Sequence, residues 1–152
     1  MFDAPPDLRP VLRLLLLALL TLVACDTNEA GDPERLVNLR VDDLVHDAEG
    51  LIGRWDLVST TSSGYGGPPA TTPYRGIRLG YTFRTDGMVE YRDLSGTIRV
   101  EAYAVVPPAP STPDAPPSLS IGDESIYWGR DGDRLYFDSR PLDGNLLEFL
   151  RR

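Results

Sequence analysis

The fold class is indicated by the stretch Ile77-Arg78-Leu79-Gly80-Tyr81-Thr82-Phe83-Arg84, which is followed closely by Asp86-Gly87. Its apolar residues alternate with Arg, Gly and Thr, which is the pattern of a β-strand with one buried face. Asp86-Gly87 is typical of a two-residue hairpin turn, and residues 88–94 can then return beside the first strand. The stretch therefore predicts an antiparallel hairpin.

The same short period extends over most of the chain. Further strands are predicted at residues 51–58, 97–106, 118–121, 124–130, 134–139 and 145–152, mostly separated by tight turns. The stretch 107–117 holds six prolines and is predicted to be a stiff, exposed loop. Because an antiparallel meander leaves exposed edges unless it closes, we expect an all-β fold: a small antiparallel up-and-down β-barrel of about eight strands over residues 51–152.

The amino-terminal residues differ from the rest of the chain. Arg9 and Arg13 precede an apolar run at residues 14–24, and this run ends at the single cysteine, Cys25. A basic front, about ten apolar residues and small residues before a cleavage point are typical of a secretory signal peptide. A membrane-spanning helix needs roughly 20 apolar residues, about twice this length. Residues 1–24 are therefore predicted to be a signal peptide.

Leu22-Val23-Ala24-Cys25 resembles the lipobox of bacterial lipoprotein precursors. The resemblance implies cleavage before Cys25, a diacylglyceryl thioether on its sulfur and a palmitate-like acyl group on its amino group. Several acyl chains hold a protein on a membrane far better than one chain does. We therefore expect a protein of the cell envelope, anchored outside the cytoplasm, for example in the periplasm; inner and outer membranes stay open as alternatives.

Residues 26–35 are polar and acidic, and they are predicted to form a flexible tether. Within residues 36–50 the apolar pattern is partly amphipathic, so Asp42 could cap a short helix that runs to about Ala48, with Gly50 as its stop. The predicted organisation is a signal peptide at 1–24, a lipidated Cys25 with tether and short helix at 25–50, and the barrel at 51–152.

Three short motifs stand out within the strand pattern: Gly53-Arg54-Trp55, Tyr81-Thr82-Phe83 with Asp86-Gly87, and Gly132-Asp133-Arg134-Leu135. With these motifs, the strand pattern resembles the small lipocalin-like domains of bacteria. The resemblance implies that Trp55 plugs the closed end of the barrel and that an arginine near the last strand packs across it. Arg151 shares the parity of Leu147 and Phe149, and it is the candidate for this cation–π contact.

Two functions are compatible with such a barrel. An interior of eight strands either is filled by side chains or holds one small ligand. We favour binding of a small apolar ligand. The alternative is a non-catalytic structural or interaction module with a filled barrel. In that case Tyr65, Tyr74 and the loop 107–117 could form a rim that contacts an envelope protein. Five aromatic residues could line a pocket, although most are expected to be core: Tyr81, Phe83, Trp128, Phe137 and Phe149.

Composition excludes several other functions. The net charge of −8 opposes binding to nucleic acid, which needs a basic surface. One cysteine and one histidine, His46, argue against multi-cysteine and paired-histidine metal sites, and we expect no metal or cofactor. Asp131-Gly132-Asp133 is favoured as a hairpin turn over a calcium loop. Ser62-Ser63-Gly64 has no plausible histidine partner, so we do not expect an enzyme.

Overall fold

Antiparallel β-strands are the main secondary structure of the described residues. The computed structural model describes residues 31–62, 67–75, 78–93, 95–142 and 144–152. The described strands are β1 Gly53–Ser62, β2 Thr71–Pro73, β3 Gly80–Phe83, β4 Met88–Arg92, β5 Ile98–Val106, β6 Ser118–Ile121, β7 Glu124–Asp131, β8 Arg134–Asp138 and β9 Asn145–Arg151. The described helical segments are one short α-helix, Pro33–Asn38, and the 3₁₀ turns Val41–Asp43, Glu49–Leu51 and Arg140–Leu142.

The sheet closes on itself. From β3 to β9 each strand pairs with its neighbour in sequence, and β1 pairs with both β3 and β9. This closure makes an antiparallel barrel of eight strands, while the short β2 pairs with the second half of β1, beyond the part of β1 that pairs with β3. The prediction of an all-β, antiparallel up-and-down barrel of about eight strands is confirmed. A closed barrel leaves no long edge for pairing with another chain.

The hairpin of β3 and β4 is formed by the stretch that decided the fold class. Tyr81 pairs with Tyr91 and Phe83 with Val89, and both Phe83 and Val89 are fully buried. Gly87 adopts a φ of +79°, a conformation in which glycine is favoured, at the turn between the strands. The predicted strand residue Ile77 lies outside the described residues, as does Leu94 at the end of the return strand.

Strand β1 is longer than predicted because a bulge interrupts its alternation. The register shifts between Leu57 and Ser59, so Ser59 and Thr61 come to lie on the outer face although both are buried. Each hydroxyl has a partner: Ser59 Oγ donates to Glu148 Oε2 at 2.6 Å, and Thr61 Oγ1 lies 2.7 Å from Thr71 Oγ1. Buried hydroxyls with partners are tolerated in a strand, which a polarity pattern alone does not reveal.

Residues 31–51, here called the amino-terminal strap, run along the outer wall of the barrel and end at Leu51, which is buried beside Trp55 in the main core. Asp32 caps the helix Pro33–Asn38 by accepting a hydrogen bond from Glu34 N at 3.1 Å, and Pro33 occupies its first turn. The strap builds a second small core on the barrel wall from Leu36, Val41, Tyr136 and Leu146. The sequence pattern indicated a flexible tether over residues 26–35, but in the structure residues 33–35 begin the helix, and Gly31 and Arg35 contact Glu148 and Asp131 of the barrel.

The prediction of a helix at residues 42–48 is wrong. That stretch begins within the 3₁₀ turn Val41–Asp43, and Val45 then forms a β-bridge with Arg130 of β7. The α-helix forms earlier because the Asp32 cap and Pro33 start it and the burial of Leu36 stabilises it. Contacts with the barrel wall outweigh a weak local pattern.

Arg140 clamps the carboxyl end of the strap helix. Its guanidinium donates to the carbonyl oxygens of Leu36 at 3.3 Å and Val37 at 3.2 Å, and also to that of Leu39. Asp138, itself buried, pairs with the same guanidinium at 2.7 Å. Because the last carbonyl groups of a helix have no partner within it, this clamp satisfies them and fixes the strap.

Strand directions define two ends of the barrel. The turn after β3, the loop 107–117 and the turn after β7 lie at the end where β1 begins and β9 finishes, here called the closed end. The turns after β4, β6 and β8 lie at the opposite end, here called the open end. The proline-rich loop is exposed at residues 109–114 and contains two consecutive turns.

Candidate functional site

The half of the barrel nearest the closed end is packed with side chains. Trp55 and Trp128 are both completely buried, and their neighbours in this core are Leu51, Phe83, Leu119, Leu135 and Phe137. Phe83 meets Tyr103 edge to face at a ring-centroid distance of 4.9 Å. His46 of the strap meets the Trp128 ring edge to face at 5.5 Å and is half-buried. In the part of the chain that the structure describes, side chains fill this half of the barrel and leave no room for a ligand.

The Gly53-Arg54-Trp55 motif forms the floor of the closed end. Trp55 Nε1 donates to the Leu51 carbonyl at 2.7 Å, and the Arg151 guanidinium carbon lies 4.5 Å from the centre of the Trp55 ring. Arg151 also donates to the carbonyl of Ile52 at 3.1 Å. Gly53 has a φ of +127°, which other residues rarely adopt, so the glycine is required by the backbone. Trp55 thus lies at the closed end with the Arg151 guanidinium packed across its ring.

The half of the barrel nearest the open end holds a cavity of about 720 Å³. Its walls are mostly apolar and aromatic side chains: Leu57, Tyr74, Leu79, Tyr81, Tyr91, Leu147 and Phe149, together with Thr60. Charged and polar side chains stand at its mouth: Arg92, Asp93, Ser95 and Arg99. An apolar chamber with a few polar groups at its entrance is the usual form of a small-molecule site.

Tyr81 forms the centre of the cavity floor. Its ring stacks on Tyr91 at 5.4 Å and meets Phe137 at 5.1 Å and Phe149 at 5.4 Å edge to face. Burial raises the pKa of the Tyr81 phenol to about 12, with a smaller contribution from the negative groups nearby. The floor is therefore neutral and aromatic at physiological pH, which suits an apolar ligand.

Hydrogen bonds order the charges at the mouth. Asp93 accepts from Ser95 Oγ, from the backbone N–H groups of Ser95 at 2.9 Å and Thr97 at 3.0 Å, and from Arg99 Nε at 3.2 Å. The bond from Ser95, with those from Thr97 and Arg99, lowers the pKa of Asp93 below its ordinary value. On the wall behind them, Tyr91 Oη donates to Glu101 Oε1 at 3.0 Å. Asp93 is thus ionised and held in place by several donors.

The proposed ligand-lining residues separate into two groups. Tyr81 lies in the cavity wall, whereas Phe83, Trp128 and Phe137 lie in the packed core and are absent from the described lining. Sequence reasoning did not single out Leu57, Tyr91, Leu147 or Arg99 as lining residues. The parity of Leu57 with Trp55, and of Leu147 with Phe149, is a signal that could have found two of them.

The remaining predicted residues lie either at the cavity or outside the described residues. Tyr74 lies at the cavity, at the end opposite to the loop 107–117, so these two do not form one rim. Tyr65 lies outside the described residues, and so do Leu22, Val23, Ala24 and Cys25 of the lipobox. Within the described ranges, no helix is both long and apolar enough to cross a membrane. No group of three or more His, Cys, Asp or Glu side chains in those ranges could hold a metal ion.

Comparisons with known proteins give no relative for this chain. No protein-family model, no curated protein sequence and no solved structure matches it significantly. The cavity, its charges and the sequence motifs are therefore the basis on which a function is proposed.

Proposed function

We propose that this chain is a lipid-anchored, lipocalin-like protein of the cell envelope that binds a small, mostly apolar molecule in the cavity at its open end. The observation that carries the proposal is that cavity of about 720 Å³ with its aromatic and aliphatic walls. Pockets for small molecules usually have volumes of about 300–1,000 Å³ and are largely preformed. The alternative of a filled barrel accounts for the closed half but leaves the open half unexplained.

Apolar contact would supply most of the binding free energy. Transfer of apolar surface out of water contributes about 25 cal/mol for each Å² buried, and the cavity walls offer mainly carbon. The strands that carry Leu57, Leu147 and Phe149 pair with one another, so these side chains are held before a ligand arrives. A preformed site avoids much of the entropy cost of ordering on binding.

The proposed lipid on Cys25 would keep the cavity near a membrane. Gly31 is held on the barrel wall, where its backbone N–H donates to Glu148 Oε2 at 2.8 Å. Five residues separate Cys25 from Gly31. An extended chain spans at most about 3.5 Å per residue, so the anchor would lie within about 20 Å of that wall. A carrier of an apolar molecule would thus stay close to the bilayer.

Filling the cavity with a larger side chain tests the proposal. Leu147→Trp adds bulk inside the cavity, whereas Val100→Trp adds the same indole to the outer wall of β5, where Val100 is 49% exposed. A neutral naphthylamine dye that fluoresces in apolar sites should bind the unaltered chain and Val100→Trp equally. We expect Leu147→Trp to reduce the affinity at least about tenfold.

The control separates loss of the cavity from loss of the fold. Circular dichroism and the urea midpoint of each variant are measured beside the dye titration. Equal dye binding by Leu147→Trp and Val100→Trp, with both folded, would show that the dye binds elsewhere. It would count against the cavity as the binding site.

A further inference from the structure

Strand β5 is inverted near the mouth of the cavity. Its outward residues there are apolar, with Ile98 53% and Val100 49% exposed, while its inward residues are Arg99 and Glu101. The inward parity follows from pairing, since Val89, which is fully buried in the core, pairs with Glu101, and Tyr91 pairs with Arg99. Strands of a water-soluble barrel usually place apolar residues inside and polar residues outside. Such local violations tend to occur where function requires them.

In the described part of the chain, the Arg99 guanidinium is hydrogen-bonded through its Nε atom alone. Its Nε donates to Asp93 Oδ2 at 3.2 Å, and Asp93 is fixed in turn by the backbone of its own hairpin. In the part of the chain that the structure describes, the two Nη atoms of Arg99 have no hydrogen-bond partner. A guanidinium presents five donors in a rigid fork that matches a carboxylate or a phosphate. Asp93 therefore positions Arg99 and leaves its terminal donors for another group.

The free donors of Arg99 border the apolar chamber. Its side chain lines the cavity with Tyr91 and Leu147, and Arg92 stands beside it at the mouth. Glu101, the acidic residue on the same wall, already accepts a hydrogen bond from Tyr91. Asp93 is engaged by four donors, one of them Arg99 itself, so the groups left to bind a ligand at this mouth are the terminal N–H donors of Arg99.

We propose that the ligand of this cavity is an amphipathic anion, whose apolar body lies against Tyr81, Leu147 and Phe149 and whose single anionic head group binds Arg99 at the mouth. The inference rests on the proposed function and narrows its ligand to one chemical class. A carboxylate and a phosphate monoester share the required head-group chemistry. The two sources of such a ligand are therefore a free fatty acid and a single-chain lipid phosphate.

Four ligands with the same eight-carbon chain test the head group. Octanoate, octyl phosphate, octanol and octyltrimethylammonium are titrated by calorimetry into the full-length chain in zwitterionic nanodiscs, with empty nanodiscs subtracted. We expect the two anions to bind at least about fivefold tighter than octanol, and the ammonium to bind more weakly than octanol. The stronger of the two anions identifies the source, and a preference for either supports the inference.

Arg99→Gln and Arg84→Gln form a matched pair. Arg84 also forms an exposed ion pair, with Asp86, but at the closed end of the barrel. We expect Arg99→Gln to weaken both anions about fivefold to tenfold, as loss of a partly exposed charged hydrogen bond does, and to leave octanol within about twofold. Arg84→Gln should change none of the four affinities. Unchanged octanol binding also shows that Arg99→Gln keeps the cavity intact.

The outcomes distinguish this inference from the proposal beneath it. If octanol binds as tightly as octanoate, or if Arg99→Gln weakens all four ligands equally, the cavity stands as an apolar site and the anionic class is overturned. A preference for the ammonium overturns it as well. If none of the four ligands binds above the empty nanodisc, the proposed function itself fails and the inference fails with it.

Discussion

At the scale of single residues, Arg151 joins the last strand to the floor of the barrel. It covers the Trp55 ring and donates to the carbonyl of Ile52, which belongs to the segment entering β1. We predict that Arg151→Ala lowers the free energy of unfolding by about 2 kcal/mol, because the variant loses the cation–π contact with Trp55 and the hydrogen bond to the Ile52 carbonyl. Urea denaturation of the purified protein measures this change.

Arg40→Ala is the control for that variant. Arg40 pairs with Asp42 on the surface of the strap, and its side chain is 70% exposed. Exposed ion pairs contribute little to stability, so we expect no measurable change in the free energy of unfolding. Equal effects of the two substitutions would mean that the contact with Trp55 does not stabilise the closed end.

Tyr81 gives the barrel a dependence on alkaline pH. Its pKa is raised to about 12 in the folded protein, while an unfolded tyrosine ionises near 10. A raised pKa means that the stabilisation is complete below about pH 10 and is lost as the pH rises towards 12. We predict that Tyr81→Phe and the unaltered protein differ little at pH 8, and that by pH 11 the variant gains about 1.4 kcal/mol relative to it.

Urea denaturation at the two pH values checks the prediction for Tyr81. Phenylalanine keeps the ring contacts of the cavity floor and removes only the ionisable hydroxyl, so packing changes are small. An identical pH dependence for both proteins would show that the phenol at position 81 is not shielded from water in the folded state.

Sequence reasoning reached some of these residues and not others. Gly53 and Trp55 stand out as a motif, and the parity of Arg151 along β9 places it on the same face as Phe149. Arg99 and Asp93 give no such signal, because their pairing depends on the geometry of the hairpin that joins β4 to β5. A charge on an alternating strand is equally compatible with the outside of a barrel.

At the scale of elements, the strap adds a second core to the barrel. Leu36 is 1% exposed and contacts the wall through the cluster that contains Tyr136 and Leu146. We predict that Leu36→Ala loses about 2 kcal/mol or more of unfolding free energy and speeds hydrogen exchange in residues 33–44. Leu142→Ala, at a position that is 74% exposed, should change neither quantity appreciably.

A different result would revise the role assigned to the strap. If Leu36→Ala and Leu142→Ala exchange amide hydrogens alike in residues 33–44, the strap is not held on the wall by its apolar contacts. Its attachment would then depend on the polar contacts of Arg140 and Glu148.

The elements differ in how well local sequence predicted them. The β3–β4 hairpin was predicted because strict alternation and Asp86-Gly87 point to the same structure. The strap helix was misplaced because its few apolar residues define no clear period, and its position depends on distant partners such as Arg140. The second half of β1 was missed because Ser59 and Thr61 look exposed until their partners Glu148 and Thr71 are known.

At the scale of the whole molecule, the proposed lipid anchor at Cys25 lies a few residues before a barrel with one open end. We predict that Cys25→Ala moves the chain out of the lipid-modified membrane fraction when it is produced in a bacterium with a lipoprotein pathway. The proposed acyl chains would supply the attachment, since a chain with a net charge of −8 has little attraction to anionic lipid. Cell fractionation and labelling with a palmitate analogue measure the change.

Ser63→Ala, a substitution far from the lipobox in sequence, is the control for that experiment. It should leave both fractionation and labelling unchanged. Retention of Cys25→Ala in the membrane together with the palmitate label would contradict lipidation at this cysteine.

Native mass spectrometry of the unaltered protein, purified from cells without denaturation, tests the central claim most directly. We predict a complex that is heavier than the bare protein by the mass of a small lipid. This extra mass should disappear on extraction with organic solvent and be absent from Leu147→Trp. A bare protein mass that does not change after incubation with a panel of fatty acids and isoprenoids would contradict the claim that this barrel binds a ligand.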